Sequence, residues 1–167
     1  MKKSFLNPLF IILFAPVFLF SFTITPNRAN FSGDWKLNES KSELGQFGAY
    51  ATRILKTEQK DESITISRTA ASFTGEDFTS VETLTYDGKE TESKLAGSSS
   101  KKASAKWSED GQKLNITFTL YLDFNGQSME ITGSETWTLS NDGKNLVVET
   151  NTSSSFGDNT TKAVFEK

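Results

Sequence analysis

Leu114, Ile116, Phe118, Leu120, Leu122 and Phe124 alternate with Asn115, Thr117, Thr119, Tyr121 and Asp123. This run constrains the fold more than any other feature. A period of two sends one set of side chains to each face of an extended strand, whereas a helix would scatter them around its axis. The Asn125-Gly126 pair that follows is a preferred two-residue turn, because both residues tolerate positive φ. Ser128–Leu139 then runs back with Met129, Ile131, Gly133, Trp137 and Leu139 on its apolar side and Glu135 in the same register. The centre of the chain therefore reads as one long antiparallel hairpin, with Tyr121 on its solvent side.

The same signals recur on both sides of it. Phe31–Leu37 places Phe31, Gly33, Trp35 and Leu37 on one face. Arg53–Lys60 and Ser63–Arg68 form a hairpin about Asp61-Glu62, with Ile64, Ile66 and Arg68 sharing a face. Phe78–Tyr86 carries Phe78, Glu82, Leu84 and Tyr86 in one register. Asp87-Gly88, Asp110-Gly111 and Asp142-Gly143 are tight-turn signals. Glu90–Leu95 returns after the first of them, and Lys101–Ser108 is a strand carrying Trp107. Leu146–Thr152 and Thr160–Phe165 close the series. Between Asn38 and Thr52 the alternation lapses, and Ser40-Lys41-Ser42-Glu43 starts a short helix or two, which Gly45 and Gly48 keep short. Roughly ten antiparallel strands joined by tight turns define an all-β chain. Neighbour-to-neighbour connections favour a single up-and-down barrel over a sandwich, with a short helical or irregular segment after the first strand. Within it, Gly33 and Trp35 are structural, the Trp acting as a large apolar plug at one end.

The Gly-x-Trp of Phe31-Ser32-Gly33-Asp34-Trp35-Lys36-Leu37, followed by Gly48-Ala49-Tyr50-Ala51-Thr52-Arg53, resembles the opening of lipocalins and fatty-acid-binding proteins, the calycin barrels. From residue 30 to the end, the chain is most similar to small exported bacterial proteins of lipocalin-like type. The resemblance implies a barrel that binds a small hydrophobic molecule. Fatty-acid-binding proteins grip a carboxylate with Arg and Tyr residues on their last strands. Gly111–Lys167 holds no Arg and only Tyr121, so that gripping set has no counterpart here.

Lys2 and Lys3 precede the almost wholly apolar Phe5–Phe22, and polar residues resume at Thr23–Asn30, which is the layout of an export signal. Residues 1–29 are accordingly expected to be a signal peptide, with 30–167 as the barrel domain. The alternative is an uncleaved anchor through residues 5–24. A cleaved chain is periplasmic or secreted. Of the 167 residues, 18 are basic and 21 acidic; removing Lys2, Lys3 and Arg28 leaves 15 basic residues and a net charge of −6. An acidic chain with scattered Lys lacks the clustered basic face that nucleic acid or an anionic membrane requires. Zero Cys means that no disulfide holds the fold, which must rest on core burial.

The absence of His and Cys removes the most frequent general base, metal ligand and thiol nucleophile. No metal or cofactor is expected, nor a catalytic function. What remains is a set of charges in register with apolar residues: Arg68, Glu82 and Glu135. In a closed barrel alternate residues point inward, and an inward charge is costly unless paired or solvated. One reading puts these residues at strand ends or beside a bulge. The other is a partly polar cavity in which Arg68 meets a ligand carboxylate, or pairs with Glu82 or Glu135 when the cavity is empty. Together with Phe78, Leu84, Phe118 and Trp137 they form the candidate ligand-binding set. The expected function is an exported, monomeric, non-catalytic barrel holding a small apolar or amphipathic molecule, free of membrane once the signal is removed. The alternatives are a filled barrel acting as an interaction module, and an enzyme using Glu82 or Glu135 as acid or base.

Overall fold

A closed ladder of strands must send every second side chain into its lumen, so the sizes of those side chains decide what the lumen contains. The computed structural model describes residues 27–71, 75–95, 97–124 and 127–167. The apolar start Phe5–Phe22 and the Asn125-Gly126 turn lie outside them. Ten strands are present among the described residues. They are β1 (Gly33–Leu37), β2 (Thr52–Gln59), β3 (Ser63–Ala71), β4 (Asp77–Thr85), β5 (Thr91–Lys94), β6 (Ser100–Trp107), β7 (Lys113–Phe124), β8 (Gln127–Leu139), β9 (Asn145–Ser154) and β10 (Gly157–Glu166). They form one antiparallel sheet in the order β4-β3-β2-β1-β10-β9-β8-β7-β6-β5, in which the first strand, β1, pairs with the last, β10. The segment after β1 holds two 3₁₀ turns, Glu39–Lys41 and Gly45–Tyr50, in place of a longer helix.

One expected hairpin does not form. After the Asp87-Gly88 turn the chain does not return along β4: Thr91–Lys94 pairs with β6 alone, and β4 and β5 are the two ends of the sheet. β4 nevertheless lies against β5 and β6, so the barrel is nearly closed. Side chains bridge the seam where backbone bonds are missing, with Lys101 Nζ of β6 donating to Glu82 Oε1 of β4 at 2.7 Å.

One end of the barrel is solid. Phe31 stacks on Trp107 with centroids 5.5 Å apart and meets Trp137 edge-on at 5.9 Å, while Tyr86 lies 5.3 Å from Trp107. Such aromatic pairs add to the area they bury. Trp35 completes the plug; its indole N–H donates to the Phe31 carbonyl at 3.0 Å, and the Thr57 hydroxyl donates to the same oxygen. Leu55, Ile64, Ile66, Leu84, Leu114, Ile116 and Leu146 fill the layer above, all essentially without exposure. Residues 27–30, expected to fall largely within the signal, lie across this end. The Arg28 guanidinium covers Tyr86 and Trp107 and donates to the Asp61 carbonyl at 2.7 Å, and the Ala29 N–H donates to the Gly111 carbonyl at 2.9 Å.

Three turns at the same end share one chemistry. Asp87, Asp110 and Asp142 each accept from a hydroxyl two residues earlier (Thr85, Ser108, Ser140) and from the N–H two residues later. The Gly after each Asp has φ between 67° and 76°, a conformation costly for other residues.

Replacing Phe31 by Ala removes a ring held on several sides by aromatic neighbours and leaves a cavity that cannot easily collapse. We expect a loss of about 3–5 kcal/mol in unfolding free energy, measured by urea titration followed through Trp fluorescence.

Candidate functional site: a charged floor beneath an open cavity

Inward residues change character along each strand. β3 presents Ile64, Ile66 and then Arg68; β4 presents Leu84 and then Glu82; β8 presents Trp137 and then Glu135. The three charges therefore form a layer directly above the packed end, and the structure brings them together. Arg68 Nη2 donates to Glu135 Oε2 at 2.8 Å, and Arg68 Nε to Glu82 Oε1 at 3.4 Å. The Trp137 indole N–H donates to the same Glu135 oxygen at 2.8 Å, and its ring lies 5.4 Å beneath the guanidinium.

A fourth charge, Lys101, belongs to this layer and was not singled out from the sequence. Its ammonium holds Glu82 and lies 5.1 Å from the Phe118 ring. The signal was present in the alternation Lys101, Ala103, Ala105 of β6, but the neighbouring Lys102 and the small alanines hide it. Glu82, Lys101 and Glu135 are each only 7% exposed. Two cations and two carboxylates share the layer, so its formal charge is zero. Burial by itself would raise the Glu135 pKa. The Arg68 and Lys101 charges and the Trp137 and Arg68 hydrogen bonds outweigh it and hold the carboxyl below its ordinary range. Glu82 Oε2 is buried without a hydrogen-bond partner among the described residues.

Above this floor lies a cavity of about 1230 Å³. Its base is Arg68, Glu135 and Phe118. One wall is aliphatic, formed by Leu120, Leu122, Met129 and Ile131 of β7 and β8. The adjoining wall of β9 and β10 carries Thr150, Thr152, Ser154, Asn159 and Thr161, with Val148 and Ala163 lower down. Exposed Tyr50, Gln127, Glu130 and Phe156 also line it, so it opens at the end opposite the aromatic plug; Phe156, at the β9–β10 tip, is 84% exposed.

Space for the cavity depends partly on Gly133. It sits opposite Phe118 across the β7–β8 ladder, where a Cβ would fall 2.6 Å from the ring and 2.7 Å from the Asn151 carbonyl. Glycine lets the ring lie flat over β8. Of the other predicted residues, Leu84 and Trp137 are in the packed end and do not face the cavity, and Phe78, half-buried near the open end of β4, does not line it either. Glu82 stands behind Arg68. Tyr121 is exposed, as its register predicts. Among the described residues no three acidic side chains gather to hold a metal ion.

The buried ion layer has a pH signature. The Glu135 carboxyl is depressed in the folded state, so its contribution is full above the ordinary glutamate pKa of about 4.3 and is lost as pH falls through its lower folded value. Glu135→Gln should lower unfolding stability by about 1.5–3 kcal/mol at neutral pH. That difference from wild type should shrink in acid, as read from urea titrations at successive pH values.

No protein-family model and no curated protein matches the chain. Among solved structures it is similar to zebrafish ileal bile acid-binding protein, in a crystal structure of the complex with cholic acid. The identity is 17% and the TM-score 0.51, over 82% of this chain and 98% of that one. At that identity the likeness is one of fold: this chain is an all-β, nearly closed barrel of ten antiparallel strands.

Proposed function

We propose that the chain is an exported, non-catalytic carrier that holds one small apolar or amphipathic molecule in the cavity above the Arg68–Glu135 floor. The observation that carries the reading is the cavity itself. Its volume of about 1230 Å³ lies far above the ~300 Å³ at which ligand sites begin, and it sets an aliphatic wall beside one rich in hydroxyls, as an amphipathic occupant requires. That volume disfavours a barrel filled by its own side chains and acting only through its surface. The complex of the similar barrel with cholic acid supports an amphipathic occupant by analogy of fold, which is a weaker argument than the site. An acid–base role is disfavoured as well: Glu135 is tied to Arg68 and Trp137 with its pKa lowered, whereas a general acid needs a raised one, and Glu82 does not line the cavity.

A test blocks the cavity from inside. Ala163→Phe projects a ring into the lumen from β10 and should weaken binding of a polarity-sensitive apolar dye by tenfold or more, about 1.4 kcal/mol, while the thermal transition remains cooperative. Equal dye affinity in the two proteins would refute an interior site.

Export is supported by Lys2, Lys3 and the apolar Phe5–Phe22. The bonds made by Arg28 and Ala29 favour a processing point ahead of Asn27 over one after Ala29. The intact mass of protein recovered from outside the host's cytoplasm is expected to include Arg28.

A further inference from the structure

We infer that the cavity selects an amphiphile with an uncharged, hydroxyl- or carbonyl-bearing head group over a fatty acid anion or an amphiphilic amine. This rests on the carrier reading above and adds the chemistry of the head.

Among the described residues, Arg68 is the one cation on the cavity surface. In a site built for a carboxylate, such an Arg would present an unopposed fork to two oxygens. Here Glu135 already takes that fork at 2.8 Å and Glu82 stands at 3.4 Å on its other side. Lys101, the remaining cation, is spent on Glu82 at 2.7 Å and does not line the cavity. An incoming carboxylate would bring a third negative charge to two positive ones, at a floor whose own glutamates are already almost wholly buried. It would have to displace Glu135 from Arg68 and leave that carboxylate buried without its ion pair. An ammonium meets the mirror-image obstacle, since taking Glu135 would leave Arg68 with only its longer contact to Glu82. Neutral oxygens meet neither. The guanidinium keeps N–H groups beyond the two that bond carboxylates, and these can donate to a hydroxyl or carbonyl without breaking an ion pair. The upper wall agrees with such an occupant: Thr150, Thr152 and Thr161 offer hydroxyls and no charge, beside an aliphatic wall for the apolar body.

The experiment compares ligands of one chain and different heads, namely monooleoylglycerol, oleyl alcohol, oleate and oleylamine. Each displaces an apolar dye from the full-length mature protein at about pH 8, where carboxylates are ionised and amines remain protonated. The inference expects the two neutral ligands to bind at least tenfold more tightly than either ion. Oleate or oleylamine binding as tightly as the neutral pair would overturn it while leaving the carrier reading intact. Displacement by none of the four would overturn the carrier reading and this inference with it. A second arm uses Glu135→Gln, which frees Arg68 of its closest carboxylate while keeping an acceptor for Trp137. Oleate affinity should then rise tenfold or more in the variant, provided its melting transition shows it folded. No gain in a folded variant would overturn the role given to Glu135, and if the variant fails to fold the wild-type ranking alone decides.

Discussion

The architecture depends on one constraint: once the strands close on themselves, alternate residues must go inside, and their volumes decide how much of the lumen stays open. At one end those residues are Phe31, Trp35, Trp107, Trp137 and a ring of Leu and Ile, which pack solid. At the other they are Leu, Met, Thr and Ser, too small to meet across the barrel, and a cavity results. The hollow half is therefore a consequence of side-chain volume on a scaffold whose backbone pattern is the same throughout.

The charged layer sits at the boundary between the two halves, and its position explains its composition. Below it, ionised groups would be fully desolvated among aromatics; above it, they would meet solvent entering from the mouth. Burial of Arg68, Glu82, Lys101 and Glu135 is tolerated because each has a counter-charge within hydrogen-bonding range. Buried pairs of this kind often stabilise a protein little relative to well-packed apolar residues. Here they set the charge of the cavity floor, with Arg68 and Glu135 lining it. One of the pairs has a second duty, since Lys101 and Glu82 join β6 to β4 across the seam where no ladder forms.

Much of this was legible from periodicity. The strand set, the three Asp-Gly turns and the inward register of Arg68, Glu82 and Glu135 follow from counting by two, and the structure adds that these three meet. Lys101 was missed because its strand is short, rich in Lys and Ala, and carries little contrast between its faces. Leu84 and Trp137 were placed on the correct face but at the wrong height, because alternation tells inside from outside without telling solid from hollow. The interrupted pairing of β4 and β5 was invisible for a related reason: a good turn dictates that the chain reverses, while the geometry of closure decides whether the reversed strand finds its partner.

What the amino-acid order determined by itself is thus local: extended segments, their two faces, the residues that turn the chain, and the lack of His and Cys that narrows the chemistry. Only the tertiary structure decided which inward residues lie at the same level of the tube. Residues as far apart in sequence as Arg68 and Glu135 share a layer because the strands are tilted and staggered around the barrel axis. That stagger belongs to the closed sheet as a whole and is written in no single strand.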